Sequence, residues 1–222
     1  SLAEANTRLV LADIKAPTAT IDKIQNLGGI VRHIPCDVSM EDSVDNLQKS
    51  IVETEKKIDF AINAAGILSQ SSIVKMRVAD FDRIIAVNLR GSFLIAQCAA
   101  RMMLSQGEGK IILISSELAY LGREEFSAYC CSKSGVVGLT RSLARELAPA
   151  IQVNSVAPGP VDTPMLGLAS MSQEWIDREL DIPLKRVGKP TEISSLVCYL
   201  CCPEAGFFTG QTISPNGGAV ML

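Results

Sequence analysis

The sequence predicts a doubly wound α/β fold with a parallel sheet, built as three α/β/α layers in a single domain. Three observations predict it. Short apolar runs recur without strict alternation: RLVLADI at 8–14, KIILIS at 110–115 and IQVNSV at 151–156. Helical patterns of ten or more residues lie between them. Strands apolar on both faces fit a parallel sheet that helices cover on both sides. The third observation is continuity, because no linker, repeat or low-complexity stretch divides the 222 residues. A chain of this length can bury roughly 70% of the surface it exposes when unfolded.

The elements follow in order. Arg8 to Ile14 reads as the first strand. Thr18 to Leu27 reads as a helix that Gly28 and Gly29 stop. Ile30 to Ile34 is the second strand. Ser39 is placed to cap a helix running to about Thr54, its hydroxyl taking free amides of the first turn. Ile58 to Ile62 is the third strand. Asp80 to Leu104 reads as one long amphipathic helix, ended by Gly107 and Gly109. Lys110 to Ser115 is the fourth strand, and Phe126 to Leu147 is a helix that ends before Pro149. Ile151 to Val156 is the fifth strand. An irregular segment follows, then a helix opening near Pro190, where a first-turn proline costs nothing. Gln211 to Ser214 is a last short strand.

Composition excludes several classes. With 47% hydrophobic and 20% charged residues the chain is not a disordered one. A net charge of −3 and a pI near 5.3 argue against nucleic acid, which needs clustered Lys and Arg. No apolar run approaches the ~20 residues of a membrane span. No signal peptide opens the sequence, so its seven cysteines read as reduced thiols in a cytoplasmic protein. Cys198, Cys201 and Cys202 lie in a helical pattern with His33 far away, so no metal site is expected.

In a doubly wound sheet a ligand sits beyond the carboxyl ends of the strands. Asp13 ends the first strand, where a carboxylate can accept from both hydroxyls of an adenosine ribose. It would repel a 2′-phosphate, to which Ile14 offers no charge. Asp37 follows the second strand and can accept from an adenine amino group or cap a turn. Asn63-Ala64-Ala65-Gly66 follows the third, small enough for a flat ring to approach. Ser116 ends the fourth, and Tyr129 and Lys133 share a helix face downstream. An ammonium beside a phenol favours the phenolate. Pro158-Gly159-Pro160 forms a rigid turn after the fifth strand.

Together, in this order and at these spacings, the motifs resemble the short-chain dehydrogenase/reductase family. They are CDV at 36–38, NAAG at 63–66, VNLRGSF at 87–93, ISS at 114–116, YCCSK at 129–133 and NSVAPGPVDTP at 154–164. The resemblance covers essentially the whole chain and implies a Rossmann-like fold. It implies that Tyr129 exchanges the proton of an alcohol while hydride passes to or from a nicotinamide. Ser116 would hold the substrate oxygen, Lys133 would lower the Tyr129 pKa and hold ribose hydroxyls, and Asn88 would place a relay water. NAD is the implied cofactor, NADP less so. Asp13, Ile14, Asp37 and Val38 would take its adenosine half. Asn63, Ala64 and Gly66 would line the nucleotide, while Pro158, Gly159, Val161 and Thr163 would face the nicotinamide.

The family opens with a strand and a glycine-rich turn that receives the pyrophosphate. Neither stands in this sequence, and Ser1 to Ala5 resembles the end of the helix that follows. The expectation is that about two dozen residues are absent, leaving two open edges in mid-sheet and a chain that folds poorly or binds cofactor weakly. The segment from Pro160 to Pro183 is expected to form an apolar lid carrying Met165, Leu166 and Trp175, with Glu117 and Tyr120 shaping the same pocket. That points to an apolar or cyclic alcohol or ketone. The rival is a 3-oxoacyl-carrier-protein reductase, for which Arg178, Lys185 and Arg186 offer thin support; a non-catalytic relative is a further alternative. The helices at 80–104 and 126–147 resemble those through which family members pair, so a homotetramer or homodimer is expected.

Overall fold

The computed structural model describes residues 2–3 and 7–221. The reading of Ser1 to Ala5 as a helix end falls on residues 1, 4 and 5, which lie outside the described residues. Among the described residues the strands and α-helices run β1 (Leu9–Asp13), α1 (Thr18–Asn26), β2 (Val31–Pro35), α2 (Glu41–Thr54), β3 (Phe60–Asn63), α3 (Val78–Ile85), α4 (Gly91–Gln106), β4 (Gly109–Ile114), α5 (Leu118–Leu121), α6 (Ser127–Leu147), β5 (Ile151–Val156), α7 (Gln173–Leu180), α8 (Pro190–Cys201) and β6 (Thr212–Ile213).

Every strand pairing is parallel, but among the described residues the strands form two sheets. β1 pairs with β2, and β3-β4-β5-β6 form a second sheet. β1 and β3 therefore each keep one edge unpaired within these sheets. Side-chain alternation along β4 and β5 builds the layers. Ile111, Leu113, Ile151 and Val153 pack with Ala96, Ala100 and Met103 of α4 and Val136 and Ala144 of α6. Ile112 and Val156 face the other way, onto Val197, Leu200 and Cys201 of α8. A further cluster joins Ile34 to α2 through Leu47 and Ile51 and to α4 through Leu94 and Met102. Full burial of such a side chain stabilises the fold by ~1.5–3 kcal/mol.

Several local features depart from the sequence expectation. The helix expected over 80–104 is broken by a π-helical turn at Ala86–Arg90. Gly107 ends α4 in the left-handed conformation at φ 81°, which glycine adopts without a Cβ penalty. Ser39 does not cap α2: its hydroxyl donates to Asp37 Oδ1 at 2.7 Å, and Met40 occupies the cap position. The segment expected to be irregular contains α7, capped by the Ser172 hydroxyl accepting the Trp175 N–H. No described helix is long and apolar enough to cross a membrane.

Candidate active site

The end of β4 and the first turns of α6 bring three side chains together. Ser115 binds the two elements, its hydroxyl donating to the Lys133 carbonyl at 2.8 Å. Ser116, only 7% exposed, accepts the Leu118 N–H at the start of α5. Tyr129 and Lys133 lie one helical turn apart. The Lys133 ammonium is 5.6 Å from the Tyr129 ring centroid and donates to the Ile114 carbonyl at 2.9 Å.

The electrostatics of this group are set by burial. Desolvation pulls Lys133 down to about 8. Tyr129 is held above its ordinary value because desolvation outweighs the hydrogen bond from Ser116 that favours the phenolate. Cys130 and Glu117 push Tyr129 in the same upward direction. The lowering of Tyr129 expected from Lys133 is thus not the dominant effect in the chain by itself.

Asn88 sits in the π-helical turn and is fully buried. Its Oδ1 accepts the Ile67 N–H at 2.8 Å, and its Nδ2 donates to the Ile67 carbonyl at 3.0 Å and to Ser132 Oγ at 3.1 Å. The side chain is therefore committed to clamping the loop after β3 onto α6. Its backbone carbonyl accepts the Ser92 hydroxyl at 2.6 Å. π-turns of this kind often mark functional positions. Ser132 does not stand out in the sequence, although its place in YCCSK, one residue before Lys133, is the available signal.

The residues expected to hold a nucleotide are spread over a wider arc. Asp13 is exposed at the end of β1 and accepts the Lys15 N–H at 3.2 Å, and Ile14 beside it is 66% exposed. Asp37 uses Oδ1 to cap its own turn, accepting from Ser39 N–H and Oγ. Val38 is buried against Gly91, where a Cβ would approach it to 2.7 Å. Asn63 is buried and donates to Ser92 Oγ at 2.9 Å, while Ala64 next to it is exposed. Gly66 lies beside the Asn88 and Lys133 side chains, each 3.5 Å from where its Cβ would be.

The loop after β5 is fixed by close approach. Pro158 accepts the Glu117 N–H at 3.0 Å. A Cβ on Gly159 would come within 2.7 Å of the Asn216 backbone and 2.8 Å of Glu117 Oε2, so no larger residue fits. Val161 bridges to Gly188, and Thr163 turns its hydroxyl back to the Val161 carbonyl.

On the substrate side, the Met165 side chain is 47% exposed, while Leu166, Tyr120 and Trp175 are half-buried. Trp175 of α7 meets the Phe126 ring edge-on at 6.2 Å and Arg178 at 4.9 Å. Arg123 forms an ion pair with the buried Glu179 of α7. This pair ties the lid to the segment that leads into Tyr129, and sequence reasoning does not find it. Its signal is a charged residue on an otherwise apolar helix face.

A nicotinamide cofactor fits one end of this arrangement. The donor set around Lys133, the side-chain-free Gly66 and the narrow Gly159 loop suit a nicotinamide and its ribose. The exposed Asp13 suits the adenosine ribose. No described residues form a glycine-rich turn for the pyrophosphate.

Comparison with known proteins agrees with this geometry. The profile of the family described as Enoyl-(Acyl carrier protein) reductase matches residues 1–220. A 3-oxoacyl-[acyl-carrier-protein] reductase of Aquifex aeolicus is 34% identical, over 98% of this chain and 89% of that one. The crystal structure of a short-chain type dehydrogenase/reductase from Mycobacterium marinum superposes with a TM-score of 0.92 at 36% identity, covering 99% of this chain and 88% of that one. A 7α-hydroxysteroid dehydrogenase, solved with NADH and 7-oxo glycochenodeoxycholic acid, superposes with the same TM-score at 30% identity, covering 99% and 87%.

Proposed function

Because this chain belongs to the short-chain dehydrogenase/reductase family, we propose that it interconverts a secondary alcohol and its ketone using NAD(H), with Tyr129 moving the proton. The observation that carries this reading is the grouping of Ser116, Tyr129 and Lys133 at the end of β4, with Lys133 5.6 Å from the phenol ring. The bound nicotinamide supplies the hydride acceptor in the alcohol direction and the donor in the ketone direction.

The chain's own residues do the rest. Tyr129 takes the hydroxyl proton at its phenol oxygen, or returns it to the alkoxide. Ser116 donates to the substrate oxygen and holds it against the phenol. Lys133 favours the phenolate by charge and offers its N–H groups to ribose hydroxyls. Asn88 holds the loop that carries Gly66. Asp13 takes the adenosine ribose and selects NAD by repelling a 2′-phosphate. Met165, Leu166 and Trp175 exclude water over the reacting carbon. Residues 1–222 act as one nucleotide-binding domain, in the cytoplasm. Copies pair through α4 and α6, where Phe93 and Leu104 expose apolar surface; light scattering giving a tetramer or dimer mass supports this, and a single-chain mass refutes it.

The second reading, a 3-oxoacyl-carrier-protein reductase, draws on the activity for which the Aquifex relative is named. Docking an acidic carrier calls for free basic residues. Arg178 pairs with Glu124, Lys185 with Asp181, and Arg186 with Glu192, which favours the first reading. Parallel titrations with NADH and NADPH, followed by nicotinamide fluorescence, test the cofactor. Turnover of secondary alcohols against a 3-oxoacyl thioester tests the substrate. The proposal expects tighter NADH binding and alcohol oxidation; thioester reduction with NADPH alone would overturn it.

A further inference from the structure

Glu117 is a buried carboxyl that the proton chemistry does not use. It is 4% exposed, and its Oε2 is buried without a hydrogen-bond partner. Its backbone is held firmly: its N–H donates to Pro158, and its carbonyl accepts from Tyr120 and Leu121. Oε2 lies 2.8 Å from where a Gly159 Cβ would be, so the missing side chain at 159 makes room for it. Its charge is felt at Tyr129, and it feels Arg123 and Glu179 in turn. Glu117 thus lies between the phenol, the loop after β5 and the lid helix.

Arg123 pairs with Glu179 and makes no hydrogen bond to Glu117 Oε2. Burial instead pushes the Glu117 carboxyl up to about 7. An orphaned, buried carboxyl oxygen costs stability, and such a cost next to a reacting centre is the mark of a group kept for a ligand.

We propose that Glu117 determines substrate specificity by accepting a hydrogen bond from a second protic group, a hydroxyl or an ammonium, carried by the substrate a few bonds from its reacting carbinol. The inference rests on the oxidoreductase reading and sharpens its substrate class, from a plainly apolar alcohol to a diol or amino alcohol with an apolar body. A hydrogen bond to a charged group of this kind corresponds to roughly 10–100-fold in discrimination.

The test uses three matched compounds, cyclohexanol, trans-1,2-cyclohexanediol and trans-2-aminocyclohexanol. Each is measured for binding by calorimetry and for oxidation with NAD, on the wild type and on Glu117→Gln and Glu117→Leu. The wild type is expected to favour at least one of the two protic compounds over cyclohexanol by at least about tenfold in both readouts. Glu117→Leu is expected to bring all three within about threefold. Glu117→Gln is expected to keep a preference for the diol and lose one for the amino alcohol. If the leucine variant does not melt cooperatively, the glutamine variant decides alone, by whether the amino alcohol loses ground relative to cyclohexanol. Preferential binding without oxidation upholds the carboxyl and refutes the oxidoreductase reading. Oxidation of all three at equal efficiency, or variants that lose all three in proportion, refutes the carboxyl and leaves the oxidoreductase reading standing. Neither binding nor oxidation refutes both.

Discussion

β1 and β4 carry similar sequences and meet different fates. LVLAD at 9–13 and GKIILI at 109–114 are both short apolar runs, and both read as strands buried on two faces. In β4, Ile111, Ile112 and Leu113 are at most 1% exposed. In β1 no residue is buried, and Ala12 and Asp13 are exposed. The difference is neighbours. β4 lies between β3 and β5, under α4 and α6 on one face and α8 on the other, whereas among the described residues β1 pairs with β2 alone. Apolar sequence sets what a strand can bury, and its partners set what it does bury. Among the described residues, the Ser116, Tyr129 and Lys133 end of the proposed site is therefore held by a dense core, while the strand that ends in Asp13 is only half-buried.

Predictions that contrast the two regions sharpen this comparison. The largest effect is expected at the dense end. Ser116→Ala should lower kcat by roughly 10²–10³-fold, since it removes a donor aimed at the reacting oxygen, with NADH affinity unchanged. Asp13→Ala should do the reverse, weakening NADH binding while leaving kcat intact at saturating cofactor. Steady-state kinetics and fluorescence titration of both variants check the pair, and a kcat loss in Asp13→Ala would break the division.

Core truncation comes next. Leu113→Ala should cost about 3–4 kcal/mol by transfer and cavity terms. Leu11→Ala, on half-buried β1, should cost about 1 kcal/mol, the lost transfer of a partly covered side chain. Denaturant unfolding of the two variants tests this, and equal losses would show that β1 is supported as well as β4.

A smaller effect concerns pH. Glu117 is held up to about 7 in the fold, against an ordinary value near 4.5. The folded state therefore binds this proton more tightly than the unfolded chain, so the contribution is fully present below about pH 4.5 and is lost as pH rises through about 7. The groups acting on Glu117 are Arg123 and Glu179, and Glu117 in turn acts on Tyr129. Glu117→Gln should flatten the fall in stability over that window and gain on the order of 1–2 kcal/mol at pH 8 relative to the wild type. Thermal melts from pH 4.5 to pH 8 report it, and parallel curves for the two proteins would contradict it.

The smallest expected effect is on cofactor choice. Asp13→Ser should improve NADPH binding relative to NADH by about tenfold, or ~1.4 kcal/mol, through loss of the repelling carboxylate. An unchanged ratio in parallel titrations would remove Asp13 from the selecting role.

The same contrast shows what is legible in the sequence. Strand positions are readable because each is a compact apolar run between turn residues, and β5 falls on Ile151–Val156 as expected. The Ser116, Tyr129 and Lys133 grouping is readable because a helical i, i+4 pair must share a face. The π-turn at Ala86–Arg90 is not, since one inserted residue leaves AVNLR as apolar and periodic as its flanks. α7 escapes notice because QEWIDREL is short and polar, although Ser172 ahead of it and Arg178 near its end are a helix's start and stop signals. Ser39 misleads because α2 starts one residue later, with Met40 at the cap position, while the Ser39 hydroxyl donates to Asp37. Glu117 is legible in the sequence as a pocket residue after Ser116, but its unpaired oxygen shows only in the packing.

In the proposed reaction Tyr129 carries the proton, with Ser116 and Lys133 supporting it. Rapid mixing with NAD and a secondary alcohol, followed through the first turnover by nicotinamide absorbance, tests it in the wild type and in Tyr129→Phe. NADH should form in the first turnover of the wild type and roughly 10³-fold more slowly in the variant, with the same NADH affinity in both. A variant that forms NADH within about threefold of the wild-type rate would contradict it.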